Sequence, residues 1–197
     1  KDIFYTNGVL TEAGSKTWAG FVPTFDATAV RKLRQAGGVL LGKTVTTEFA
    51  DGDPVETLNP WDPGCTPGGS STGSAVAVAS RMCPVALGSQ TVGSVLRPAA
   101  YNGTVGLKPT FGRISRYGVV PMAGSLDHVG ILARTVEDIA VVFYSLAGHD
   151  PDDSVSSKEP IPDVLATIRN MAQPRIGFFT GYFYDNATSS VNESMEV

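Results

Sequence analysis

Two short stretches of glycine and small hydroxyl residues constrain this chain more than any other feature. They are Thr66-Pro-Gly-Gly-Ser-Ser-Thr-Gly-Ser74 and Gly88-Ser-Gln-Thr-Val-Gly-Ser94. Such residues bury little apolar surface. Their physical use is close backbone approach, with N–H groups and hydroxyls presented to a neighbour or a ligand. A fold that carries them must supply its core from elsewhere. With 42% hydrophobic and 17% charged residues, the chain can do so and is unlike a disordered one. Its 22 glycines and 13 prolines predict many tight turns.

Around these stretches the pattern alternates helices and strands. The spacing predicts a helix over 24–36, with Asp26 as N-cap and Gly37-Gly38 as its stop, then a short buried strand at Val39-Leu40-Leu41-Gly42. Residues 51–69 read as a turn-rich loop, 74–81 as a small-residue helix and Val85-Ala86-Leu87 as a buried strand. Thr135 caps the clearest helix, over 135–147, and Gly148 ends it. The polar segment 150–162 reads as a surface connection, 175–179 as a further strand and 190–197 as the opening of a helix. Such alternation predicts an α/β layer structure.

Bulk features narrow the function classes. The net charge is −4 with no long Lys/Arg run, so nucleic acid is not an expected direct partner. No segment reaches the roughly 20 apolar residues of a membrane span, and a cytoplasmic location is expected. Cys65 and Cys83 have neither zinc-site spacing nor the setting of a disulfide scaffold, so no metal is expected.

Three chemistries compete for the Gly/Ser stretches. A phosphate loop needs Lys directly after its last Gly, and Ser74 follows Gly73 instead. Gly69-Ser70-Ser71-Thr72-Gly73 matches the G-x-S-x-G nucleophile elbow, but a proline-rich loop precedes it where a strand is required. That elbow also needs an acid and then a histidine, and only His128 and His149 exist. The third is a Ser-Ser-Lys hydrolase. Taken singly, Ser70 and Ser71 also suit the N-cap of the following helix, Ser94 suits a turn, and Lys43 competes with Lys1 as the base.

The order of motifs favours the third. Gly68-Gly69-Ser70-Ser71, Gly93-Ser94, Arg97-Pro-Ala-Ala100, Gly106-Leu-Lys-Pro109, Gly112-Arg113 and Ser125-Leu-Asp127 resemble the amidase signature family. So do Leu41-Gly-Lys-Thr44, Glu48-Phe-Ala50 and the opening Lys1-Asp2 with Thr6 and Gly8. The resemblance implies a mixed β-sheet core flanked by helices. It makes residues 1–197 the central catalytic part of a single amidase domain, with N- and C-terminal parts missing. It implies Ser94 as nucleophile, Ser70 as proton relay behind a cis Gly69–Ser70 peptide, and Lys1 as a neutral, buried base. The N–H groups of Thr91, Val92, Gly93 and Ser94 would form an oxyanion hole, and Arg97, Gly69 and Ser71 would contact substrate. No cofactor is implied. The expected partner is a small-molecule amide, with homo-oligomers allowed.

The chain also departs from the family pattern. Gln90 stands where many members have Asp, and Val92 where many have Gly, which raises whether the turn needs a positive φ. Leu96 stands where many have Arg, and Arg97 follows it, free to grip a substrate carboxylate or to form an internal ion pair. Residues 51–67 form a shorter loop than in tRNA-linked members, which favours a free-standing amidase. The alternatives are the A component of a glutamyl/aspartyl-tRNA amidotransferase and an inactive binding relative.

Overall fold

The computed structural model describes residues 1–52, 54–170, 173, 175, 177 and 181–195. Its centre is a three-stranded sheet of β1 (Val85–Gln90), β2 (Val105–Leu107) and β3 (His128–Ala133) in the order β1-β3-β2. Both pairings are antiparallel, with Gly88 opposite Gly130 and Gln90 opposite His128 in the first. The helix-flanked sheet agrees with the fold expected. Both pairings among the described strands are antiparallel because β3, last in sequence, inserts between β1 and β2.

β3 is buried on both faces, and its period-two alternation feeds two cores. Val129, Ile131 and Ala133 join a cluster with Ile3, Phe4, Val30, Ile139, Phe143 and Leu146. Leu132 joins Ala75, Val78, Ala86, Val95 and Ala99 on the opposite face. The first core is closed by α1 (Thr28–Gln35) and α4 (Val136–Leu146). The second is closed by α2 (Thr72–Ala79) and α3 (Leu96–Tyr101). Three further helices, α5 (Val164–Arg169), α6 (Tyr182–Asp185) and α7 (Ser189–Met195), follow. α7 occupies the stretch expected to open a helix.

α4 follows its sequence pattern closely. The Thr135 side chain accepts the Asp138 N–H, Glu137 and Asp138 sit in the first turn, and Gly148 follows at φ 111°. α1 is shorter than expected and starts without a side-chain cap at Ala27. Asp26 instead accepts the Asn7 N–H at 2.8 Å and pairs with Arg34 at 3.2 Å.

Three expectations are corrected or fall elsewhere. Val39-Leu40-Leu41 is no strand: it pairs with nothing among the described residues, and Val39 is 82% exposed. Segment 150–162 is more than a surface connection. Asp150 and Asp153 are buried there, taking hydrogen bonds from Ser115 and Arg116. The strand expected over 175–179 lies largely outside the described residues.

Glycine sets how closely the catalytic stretch packs. A Cβ at Gly88 would lie 2.8 Å from Ser71 Oγ, and one at Gly73 would lie 2.5 Å from the Val45 nitrogen. α2 therefore rests directly on β1, with residues 68–72 lying on the strand that leads to Ser94.

Candidate active site

Burial and hydrogen bonding at Lys1 define the site. Its side chain enters between β1 and the 68–71 loop, and the residue is only 6% exposed. Lys1 Nζ lies 2.8 Å from Ser70 Oγ and 2.8 Å from Ser89 Oγ. The main-chain nitrogen of Lys1 donates to Leu87 O at 3.1 Å, fixing the residue along the edge of β1 that no strand pairs. Burial penalises the ammonium form and lowers the side-chain pKa from 10.5 to about 7, and the negative charge of Asp127 opposes this. A fraction of order one half is then neutral, and able to accept a proton, near pH 7.

Ser70 follows a cis Gly69–Ser70 peptide and is almost fully buried. Its neighbour Ser71 was expected to touch substrate, and here the expectation is corrected. Ser71 is wholly buried, and its hydroxyl donates to Ser89 O and accepts the Ser89 N–H, both at 3.2 Å. Nor does that hydroxyl cap α2. It staples the loop to β1, an arrangement open only because Gly88 lacks a side chain.

Ser94 is half-buried, and its carbonyl accepts the Ser71 N–H at 3.2 Å, which holds the two serine stretches together. The Ser94 hydroxyl has no hydrogen-bond partner among the described residues, and Ser70 is not bonded to it in this arrangement. The turn that carries Ser94 is locked by Gln90. The Gln90 amide donates to Val92 O at 2.9 Å and accepts the N–H groups of Val95 and Leu96, each at 2.9 Å. The N–H groups of Thr91, Val92, Gly93 and Ser94 donate to no group among the described residues, and none of the four residues has positive φ. Val92 therefore meets no conformational obstacle here.

Arg97 forms no internal ion pair among the described residues, which removes one of its two expected roles. Its Nε and Nη2 donate to Gly69 O at 3.1 and 2.7 Å. Both residues line a cleft of about 240 Å³ with Thr47, Asp51, Gly68 and Tyr101. A second cleft, of about 210 Å³, lies along Ser89, Thr91, Met122, Asp127 and His128. Lys43 is held away from the serines by Asp2, the Phe4 carbonyl and Thr11. His128 accompanies Leu126 O and Phe111, and Arg113 donates to the carbonyls of Glu159 and Pro160. Neither histidine touches a serine of the site, so the elbow reading has no geometric support.

Sequence reasoning missed Ser89 as a contact of Lys1 and Asp127 as its electrostatic neighbour. Ser89 lay just beyond the strand read at Val85-Ala86-Leu87, and only its place in the Gly/Ser stretch marked it. The Asp127 contacts arise only once β3 lies beside β1.

A buried lysine, a hydroxyl on it and a second serine beside a turn of unpaired N–H groups are the parts expected of a serine–lysine site. The chain belongs to the amidase family, whose model, described as Amidase, matches residues 1–197. It is 48% identical over its whole length to the A component of the glutamyl-tRNA(Gln) amidotransferase of Pelobacter propionicus, of which it covers 42%. It is 44% identical to the solved peptide amidase of Stenotrophomonas maltophilia, with a TM-score of 0.77, over 81% of this chain and 35% of that one. A third likeness is to a chain from a vestigial protein complex that reveals the evolutionary origins of an s-triazine catabolic enzyme. There the TM-score is 0.94 at 41% identity, over 100% of this chain and 45% of the other. The chain thus spans about two fifths of the length of the curated relatives it matches. No helix among the described residues is long and apolar enough to cross a membrane.

Proposed function

We propose that this chain carries the Ser-Ser-Lys machinery of an enzyme that hydrolyses a carboxylic amide to an acid and ammonia or an amine. The observation that carries the reading is the buried Lys1 amine 2.8 Å from Ser70 Oγ, in a chain of the amidase family. Neutral Lys1 takes the Ser70 proton as Ser70 takes that of Ser94, and Ser94 Oγ bonds to the carbonyl carbon. The tetrahedral oxygen is held by N–H groups of residues 91–94. The C–N bond then breaks, and the proton returns through Ser70 to the leaving nitrogen. Water repeats the sequence on the acyl-enzyme and releases the acid. The step requires Ser70 and Ser94 to close to about 3 Å when substrate binds, as catalytic hydrogen bonds commonly do. Arg97 keeps Nη1 for a substrate carboxylate at the cleft it shares with Gly69.

A test that needs no substrate is reaction with a fluorophosphonate, followed by intact mass and peptide mapping. The expected result is one adduct, on Ser94, absent in Ser94→Ala and at least 100-fold slower in Ser70→Ala and Lys1→Ala, on the scale of losing one catalytic group. An adduct on Ser71, or none on the folded chain, would sink the reading.

The relatives named as A components of glutamyl-tRNA(Gln) amidotransferases support a second reading, a glutaminase within an amidotransferase. It predicts weak glutamine hydrolysis by the chain alone that rises when the other amidotransferase components are added. A free-standing amidase shows no such rise.

A further inference from the structure

The turn that carries Ser94 is clamped at both ends, and its second clamp is a carboxylate that the Ser-Ser-Lys scheme does not use. Asp127 Oδ1 accepts the Thr91 hydroxyl at 2.5 Å, and Oδ2 accepts the N–H groups of Met122 and Ala123 at 2.8 and 2.9 Å. Asp127 immediately precedes β3, where Gln90 faces His128, so the carboxylate meets the first residue beyond β1. All of its strong contacts are neutral donors, which leave its charge intact. We propose that Asp127 is a positioning residue. Its carboxylate fixes Thr91, and with it the start of the turn 91–94, to the 122–127 loop, and sets a negative charge toward the ammonium that Lys1 becomes.

The charges around it do not offer a substitute. Lys1 faces it from the N-terminal segment, where Lys43 and Asp2 already neutralise one another. Arg116 lines the same cleft but is paired with Asp153. His128 adjoins it on β3 and lies near Lys108, with Nε2 and Nζ 3.4 Å apart. Among the described side chains, Asp127 is the charged one that acts on the Lys1 side chain, and its effect favours the protonated amine; the Lys1 α-amine, which burial holds well below its ordinary value, is neutral near pH 7. Proton transfer to Lys1 creates that ammonium inside a buried site, where an opposite charge matters more than in water.

The inference rests on the proposed roles of Ser94 and Lys1, and the test separates the two. The rate of fluorophosphonate labelling of Ser94 is followed from pH 5 to 10 in variants checked for native circular dichroism. Asp127→Asn keeps the shape and removes the charge. Its acid limb is expected to move down by about half a pH unit or more, with a plateau about tenfold lower. Thr91→Val cuts the tether and keeps the charge, so the plateau falls about tenfold with the limb unmoved, and Thr91→Ser restores it. His128→Gln leaves the limb in place. An unmoved limb in Asp127→Asn, or a limb that moves in His128→Gln, overturns the inference alone. If Asp127→Asn does not fold, the Thr91 pair decides: wild-type labelling in Thr91→Val also overturns it. Absence of Ser94 labelling in the wild type defeats the catalytic reading and this inference with it.

Discussion

Gly88 shows how one residue fixes the site without entering its chemistry. An added methyl would meet Ser71 Oγ at 2.8 Å and Leu132 Cδ1 at 3.0 Å, neither of them the end of a long flexible chain. Gly88→Ala should therefore cost about 1–3 kcal/mol in chemical denaturation. It should also slow Ser94 labelling, because the loop that it displaces carries Ser70. A stable variant with unchanged labelling would mean that Ser71 yields without moving its neighbour. At this scale the Lys1–Ser70 contact was legible, since motif order links Lys1, Ser70 and Ser94. Ser71 misled, because a serine at a helix start beside the relay Ser70 suits both capping and substrate contact. Its two hydrogen bonds with the Ser89 backbone depend on a strand 18 residues away. Lys43 is a decoy for a similar reason, since its sequence context carries no trace of the Asp2 contact that holds it.

Among elements, the junction of β1 and α3 is the most instructive. α3 begins at Leu96 without a side-chain cap from Val95, yet its leading N–H groups are satisfied by the Gln90 carboxamide reaching in from the end of the strand. The same amide donates to Val92 O, so one buried side chain closes the turn and starts the helix. Gln90→Leu loses all three bonds and leaves the buried Val95 N–H and the part-buried Leu96 N–H and Val92 O without that partner. It should destabilise by roughly 2–4 kcal/mol and lower the labelling rate at least tenfold. Gln90→Glu keeps the acceptor and loses the donor to Val92, and should lie between Leu and wild type. Equal labelling rates in all three would remove the clamp from the account. Element legibility followed local signals. α4 was readable because cap, period and stop all lie within its own residues. β1 was read only as far as Leu87, since Gly88, Ser89 and Gln90 are polar or small yet buried. β3 went unread despite lying at the centre of the sheet, and Val39-Leu40-Leu41 was read as a strand although it has no partner here. A short apolar run does not say whether another strand will lie beside it.

For the whole molecule, the buried base carries a cost in stability with a defined pH signature. The unfolded chain protonates the Lys1 side chain below about 10.5, whereas in the fold burial lowers that value to about 7. Between these values the unfolded state holds a proton that the native state has released, so this contribution to stability rises with pH. Below about 7 the full penalty applies. The carboxylates at the other end of the first core behave oppositely. Burial pushes Asp150 upward, but hydrogen bonds from Ser115, Thr28 and the Asp152 N–H, with the charge of Arg31, outweigh it and leave the group below 3.8. Its support is complete above the unfolded value and is lost as pH falls below it through the folded one. Two difference curves of unfolding free energy against pH separate these effects. Lys1→Met keeps the buried α-amine, whose own value burial lowers to about 4, and removes the side-chain amine. It should exceed wild type below pH 7 by roughly 3–5 kcal/mol at most, with the gap closing toward pH 10.5. Ser115→Ala should make the acid loss below about pH 4 shallower and leave the alkaline rise untouched. A Lys1→Met curve parallel to wild type from pH 6 to 10 would mean that the amine stays charged in the fold. The same result would remove Lys1 as a base near neutrality, so one stability measurement bears on the chemistry as directly as on the fold.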